Sequence, residues 1–150
     1  MTEAFTNEVE AMSISCDADD VRRASDWLEK ICLERDVPSC EISRLDLCLN
    51  EVLANVISHG GEAALASTIS LKLEIGRKQN FGEAQLIVSD IGVPFDPFAA
   101  PHKQRPKTLT EAKPGGLGLV MIRSISDNLS YRYSDGRNQL TFSVRWLIAT

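Results

Sequence analysis

The sequence predicts an α/β fold of the α+β kind: a two-layer sandwich with a mixed, mostly antiparallel sheet and helices on one face. Three observations lead there. Strand-like and helix-like hydrophobic patterns follow one another in the order β-α-α-β-β-loop-α-β-β. The strands fall into pairs that short turns can join as hairpins. The βαβ alternation of a doubly wound parallel sheet is missing.

Val9 to Ser15 alternates weakly through Val9, Met12 and Ile14 and reads as a first strand. Asp17 is an N-cap, with Asp19 and Asp20 in the first turn where the helix dipole favours negative charge. Val21, Ala24, Leu28, Ile31 and Cys32 then recur at helical spacing, and Arg22, Arg23, Glu29 and Lys30 line the other face to about Asp36. Pro38 and Ser39 break the chain and cap a second helix. Its stripe is Ile42, Leu45, Leu49, Val52 and Val56, widened by Leu53 and Ile57, so it should be buried almost all round. Gly60 and Gly61 stop it, and a short Ala/Ser-rich segment follows.

Ile69, Leu71, Leu73 and Ile75 alternate with Ser70, Lys72 and Glu74, the clearest strand in the chain. A turn over 77–83 leads to a more continuously apolar strand over 84–89. From Phe98 to Lys113 no periodicity holds, and a loop this long inside one domain is usually functional, often a lid. A helix opens at Gly115 with Leu117, Val120, Met121 and Ile125 on one face. Leu129, Tyr131 and Tyr133, the Asp135-Gly136 turn, and Leu140, Phe142, Val144 and Trp146 make a terminal hairpin.

Composition narrows the function classes. The 150 residues suit one domain, 1–150, and 43% apolar with 25% charged residues argues against disorder. A net charge of −5 without a basic run argues against direct nucleic-acid binding. No apolar run is long enough to span a membrane, and the N-terminus lacks the marks of a signal peptide, so a cytoplasmic protein is expected. Cys16, Cys32, Cys40 and Cys48 form no C-x-x-C pair and read as reduced core thiols rather than zinc ligands.

Three motifs carry chemistry. Glu51 and Asn55 stand four apart on the second helix and share a face. A buried carboxylate and amide need partners or serve a ligand: the amide oxygen suits Mg²⁺, and the carboxylate could orient a hydroxyl. The plainer reading, a satisfied pair tying the helix to a loop, stays open for this motif alone. Asp90-Ile91-Gly92 ends a strand in a carboxylate able to accept from an exocyclic amine, although a simple Asp-x-Gly turn has the same pattern. Gly115, Gly116 and Gly118 at a helix start let backbone N–H groups approach a phosphate, but many glycine-rich turns bind nothing. The cluster is neither a Rossmann fingerprint nor a Walker A loop.

In this order the three motifs resemble the GHKL ATPase superfamily of gyrase, Hsp90, histidine kinases and MutL. Glu51-x-x-x-Asn55 looks like its N-box, Asp90-x-Gly92 its first glycine box and Gly116-x-Gly118-Leu119 its second. Leu47 to Gly60, Asp90-x-Gly92-x-x-Phe95-Asp96-Pro97 and the GGLGLVMI run look like the anti-sigma-factor serine/threonine kinases. The resemblance implies a Bergerat-type sandwich that binds ATP with Mg²⁺, with its lid at about 97–114. By motif, Glu51 would be the catalytic base and Asn55 the Mg²⁺ ligand. Asp90 would read the adenine amine, Gly92 would pack near the base, and Gly116, Leu117, Gly118 and Leu119 would form the phosphate cradle. It implies phosphorylation of a serine on a STAS-domain anti-sigma-factor antagonist, alternation with a sigma factor, and a homodimer as a common assembly. The chain departs from these kinases at Leu117, where a basic residue often stands; Lys103, Arg105, Lys107 or Lys113 of the lid could supply that charge. Arg22, Arg23 and Trp27 are candidate partner-surface residues, and His59 is expected to act locally at its helix end.

Overall fold

A five-stranded sheet carries two long helices on one face. The structure is a computed structural model that describes residues 6–94 and 122–148. The chain runs β1 (Thr6–Ile14), α1 (Ala18–Glu34), α2 (Ser39–His59), α3 (Gly61–Leu65), β2 (Ile69–Arg77), β3 (Phe81–Asp90), β4 (Asn128–Ser134) and β5 (Arg137–Leu147). The strands lie in the order β1-β2-β3-β5-β4. Every neighbouring pair is antiparallel, so the sheet expected to be mixed is antiparallel throughout its described strands. The reason is visible in the connections. α1 and α2 travel out and back as a pair and return the chain to the end of the sheet where β1 finished. β2–β3 and β4–β5 are hairpins.

α1 begins as its sequence dictates. The Asp17 carboxylate accepts from Asp20 N at 2.8 Å, and the Asp20 side chain accepts from Ser15 N at 2.6 Å, so each satisfies a donor near the helix start. Ala24, Leu28, Ile31 and Cys32 are buried as the spacing predicts. Trp27 is partly buried against the core, and Arg22 and Arg23 are exposed. α2 follows Pro38 at the N-cap position, where no side chain caps it, so Ser39 is the first helical residue rather than the cap. Ile42, Leu45, Cys48, Leu49, Val52 and Leu53 are buried, but Leu47 and Ala54 face solvent, and the helix is not buried all round.

The core face of the sheet is set by period-2 alternation. Leu71 and Leu73 of β2, Leu86 and Val88 of β3, and Phe142 and Val144 of β5 are at most 1% exposed and meet the helices in one cluster. Each such side chain contributes roughly 1.5–3 kcal/mol by leaving water. Met12 and Ile14 join this face, whereas Val9 stands on the opposite parity and is exposed. The β4–β5 turn is the one the Asp-Gly dipeptide predicts, with φ 54° at Asp135 and 74° at Gly136, as a type I′ hairpin requires. The Ala/Ser-rich segment after α2 holds the short α3.

A helical turn at 122–125 buries Ile122 in the core. Arg44 of α2 anchors its end, donating from Nε to Ile125 O at 2.9 Å and pairing with Asp127 at 3.3 Å. All four cysteines are free thiols. Cys32 and Cys48 are buried and Cys16 partly so, while Cys40 is exposed and is not a core residue.

Candidate functional site

One cleft gathers the polar residues that the core otherwise excludes. It opens between the C-terminal half of α2 and strands β3, β4 and β5. Val52, Val88 and Leu140 give it an apolar floor, and Asn55, Asp90 and Asn138 converge on it. Each of these three polar residues is only 6% exposed. An apolar floor with a few convergent polar groups is the usual form of a small-molecule site.

Asp90 is held by two donors on one carboxylate oxygen. Gly92 N donates to its Oδ1 at 2.8 Å and Asn138 Nδ2 at 3.1 Å. Among the described residues no hydrogen bond takes Oδ2. Asn138 stands opposite Asp90 in the β3–β5 register and also donates to Gly92 O at 3.2 Å and Val93 O at 3.0 Å. Its own Oδ1 accepts from the Tyr131 hydroxyl. The loop is pressed onto the end of α2. A Cβ on Gly92 would lie 2.8 Å from Asp90 Oδ1, from Gly60 Cα and from Gly60 O, so no side chain fits there. Val93 N closes the contact by donating to Gly60 O at 3.0 Å.

Asn55 differs. Neither its Nδ2 nor its Oδ1 has a hydrogen-bond partner among the described residues. An unpaired buried amide costs about 1–3 kcal/mol, which a ligand able to bond both atoms would recover. Glu51 is one turn earlier on α2, partly exposed and not among the cleft-lining residues. Its carboxylate makes no hydrogen bond among the described residues, but it is close enough to Cys48 to matter electrostatically. Burial pushes the Cys48 thiol up to about 11, Arg44 opposes this and Glu51 adds to it. Cys16 Sγ donates to Ala64 O at 3.1 Å, and burial, then Asp90 and Asp17, push its thiol up. Both thiols near the site are thereby kept neutral.

The structure thus brings Asn55 and Asp90 together at one cleft, with Gly92 packed beside it against Gly60. His59 also lines it, so its place is at the site as well as at the helix end. Gly115, Gly116, Leu117, Gly118 and Leu119, and the lid at 97–114 with Lys103, Arg105, Lys107 and Lys113, lie outside the described residues. Asn138 and Tyr131 are the polar residues that sequence reasoning missed. A signal existed: Asn138 is in phase with Leu140, Phe142, Val144 and Trp146, so a polar side chain occupies an inward position of a strand.

A family model described as the histidine kinase-like ATPase domain matches residues 14–144. The chain belongs to that family. As a histidine kinase-like ATPase domain it is 33% identical over 140 residues to the serine/threonine-protein kinase BtrW of Bordetella bronchiseptica, covering 93% of this chain and 95% of that protein. Its fold is similar to the structure of the RsbU and RsbW domains of Rv1364c from Mycobacterium tuberculosis, with a TM-score of 0.68 and 13% identity. That match covers 95% of this chain and 33% of the other. A chain of the SiaB-SiaC complex from Pseudomonas aeruginosa matches with a TM-score of 0.51 and 14% identity, over 91% of this chain and 89% of that one. Membership implies that the domain binds ATP.

Proposed function

We propose that this protein is an ATP-dependent serine/threonine protein kinase that phosphorylates a STAS-domain anti-sigma-factor antagonist and regulates transcription by partner switching, with a sigma factor as the alternate partner. The observation that carries the reading is the buried Asn55 amide, without a partner among the described residues, in a cleft shared with Asp90. Those residues fit Mg·ATP. Asn55 Oδ1 is a hard oxygen ligand for Mg²⁺, and Asp90 Oδ2 is an acceptor for the adenine amine. Among the described residues no three His, Cys, Asp or Glu side chains gather to hold a metal. Mg²⁺ would then draw most of its ligands from phosphates and water.

Bound Mg·ATP supplies the phosphoryl group and neutralises its charge. The chain's own work is positioning and proton handling. Glu51 takes the proton of the attacking serine hydroxyl, and its partial exposure leaves it reachable by a partner protein. Gly116 and Gly118 offer backbone N–H groups to the phosphates. The kinase name of the 33% identical relative supports transfer to Ser or Thr. No helix among the described residues is long and apolar enough to cross a membrane, consistent with a cytoplasmic regulator.

Leu117 favours a second reading, an ATP-binding switch that sequesters its partner with little transfer, because it replaces a basic residue between the glycines. One experiment separates the two: recover the bound protein from cells, incubate the pair with Mg·ATP, and look for phosphoserine on the partner. Glu51→Gln is expected to keep Mg·ATP binding and lose transfer by two orders of magnitude or more, the usual contribution of a general base. Full transfer by Glu51→Gln would remove Glu51 from the base role.

A further inference from the structure

We infer that Asn138, oriented by Tyr131, is the residue that makes this site choose adenine over guanine. The inference rests on the reading of the cleft as the nucleotide site, and it concerns a residue pair that the three motifs do not contain.

A carboxylate with both oxygens free accepts from two adjacent donors. Guanine offers such a pair, its N1–H and 2-amino group, side by side. Adenine offers its 6-amino group as a donor but no N1–H. An unrestrained Asp90 would therefore pair with either base. In this chain Oδ1 is already occupied by Gly92 N at 2.8 Å and Asn138 Nδ2 at 3.1 Å. The carboxylate cannot rotate without breaking both bonds, and it presents Oδ2 as a single acceptor. That geometry suits one exocyclic amine and cannot form the two-point pair that guanine needs.

Asn138 fixes more than the carboxylate. Its Nδ2 also lies 3.2 Å from Gly92 O and 3.0 Å from Val93 O, so the loop that carries Asp90 is pinned to β5. An amide can do this in only one orientation, because three acceptors face the nitrogen. The Tyr131 hydroxyl donates to Asn138 Oδ1 and selects that orientation. Gly92 then seats on Gly60 with no room for a Cβ, so the loop backbone packs directly on the end of α2. Asn138 is thus a positioning residue: it acts on the base through Asp90.

The test measures ATP and GTP affinities by calorimetry for the full chain, Asn138→Leu, Tyr131→Phe and Asp90→Asn. Leu keeps the size of the side chain and removes its donor. Asn138→Leu should weaken ATP roughly tenfold, about one charge-assisted hydrogen bond, while GTP binding is unchanged or tighter. The ATP-to-GTP preference should therefore fall by about tenfold or more. Tyr131→Phe should lower the preference in the same direction by about two- to threefold, and it serves as the test if Asn138→Leu fails to fold. Equal loss of both nucleotides, or an unchanged preference in a folded variant, would mean that Asn138 merely holds the sheet together, and the inference falls. Failure of the unmodified chain to bind ATP overturns the nucleotide reading and this inference with it. ATP binding lost in Asp90→Asn but an intact preference in both other variants overturns this inference alone.

Discussion

Replacing Asn55 with leucine should make the nucleotide-free protein more stable. The side chain is 6% exposed, and neither amide atom has a partner among the described residues. Its neighbours along the cleft include Val52, Val88 and Leu140. Burying an amide without hydrogen bonds costs about 1–3 kcal/mol. Leucine has nearly the same shape, removes that cost, and gains a few tenths of a kcal/mol in helix propensity over asparagine. Some of the gain is offset by imperfect packing of the branched chain, so the net expectation is on the order of 2 kcal/mol. For a chain of this size that raises the melting temperature by about 4–8 °C.

Ligand binding should move the other way. Mg·ATP at a hundred times its Kd stabilises a competent protein by about 2.7 kcal/mol, and Asn55→Leu should lose the Mg²⁺-dependent part of that shift. Two measurements decide the matter: urea unfolding without nucleotide, and melting with Mg·ATP against nucleotide plus chelator. A variant destabilised by about 1 kcal/mol or more without nucleotide would show that the amide is paired in the native chain, and the reasoning from an unmet donor and acceptor would fail. A full Mg²⁺-dependent shift in the variant would equally remove Asn55 from the metal.

Two other expectations follow from the geometry. Gly92→Ala places a Cβ 2.8 Å from three atoms, two of them backbone atoms of Gly60, so the loop must lift from α2. Unfolding should show a loss of about 1–3 kcal/mol, and calorimetry a loss of ATP affinity; wild-type behaviour in both would mean the contact has slack. The Cys32 thiol, fully buried, is pushed by burial from 9.0 up to about 12. Above pH 9 the unfolded chain ionises this thiol and the native chain does not, so the unfolded state binds fewer protons and stability falls as pH rises. Comparing Cys32→Val with the native protein from pH 8 to 10.5, the native curve should fall more steeply, approaching 1.4 kcal/mol per pH unit; parallel curves would contradict the buried-thiol assignment.

What the sequence made legible was whatever local periodicity controls. Asp17 caps α1, Ile69 to Ile75 alternate as β2, and Asp135-Gly136 turn the last hairpin, because each depends on neighbours within a few residues. The readings that missed depend on distant packing. The expected all-round burial of α2 fails at Leu47 and Ala54, which are apolar but exposed. The antiparallel pairing of β1 with β2 follows from two helices returning the chain, which no window on either strand contains. Val9, Met12 and Ile14 mark a strand without fixing its inward face, since Val9 has the opposite parity to the other two and is exposed.

The site divides along the same line. Asn55 and Asp90 stood out because each breaks an apolar pattern, and the fold brings both to one cleft. Glu51 broke the same pattern yet lies outside the lining, since one helical turn is enough to move a side chain from the cleft wall to its rim. That difference carries meaning for function. A residue that only tightened ATP binding would belong in the wall beside Asn55. A base for a protein substrate belongs where a second protein can deliver its hydroxyl. Asn138 completes the division: 48 residues from Asp90 in sequence, it meets that carboxylate only because β3 and β5 are neighbours in register. Asn55, Asp90 and Asn138 each interrupt a local apolar pattern, but only the β3–β5 register shows that Asn138 meets Asp90.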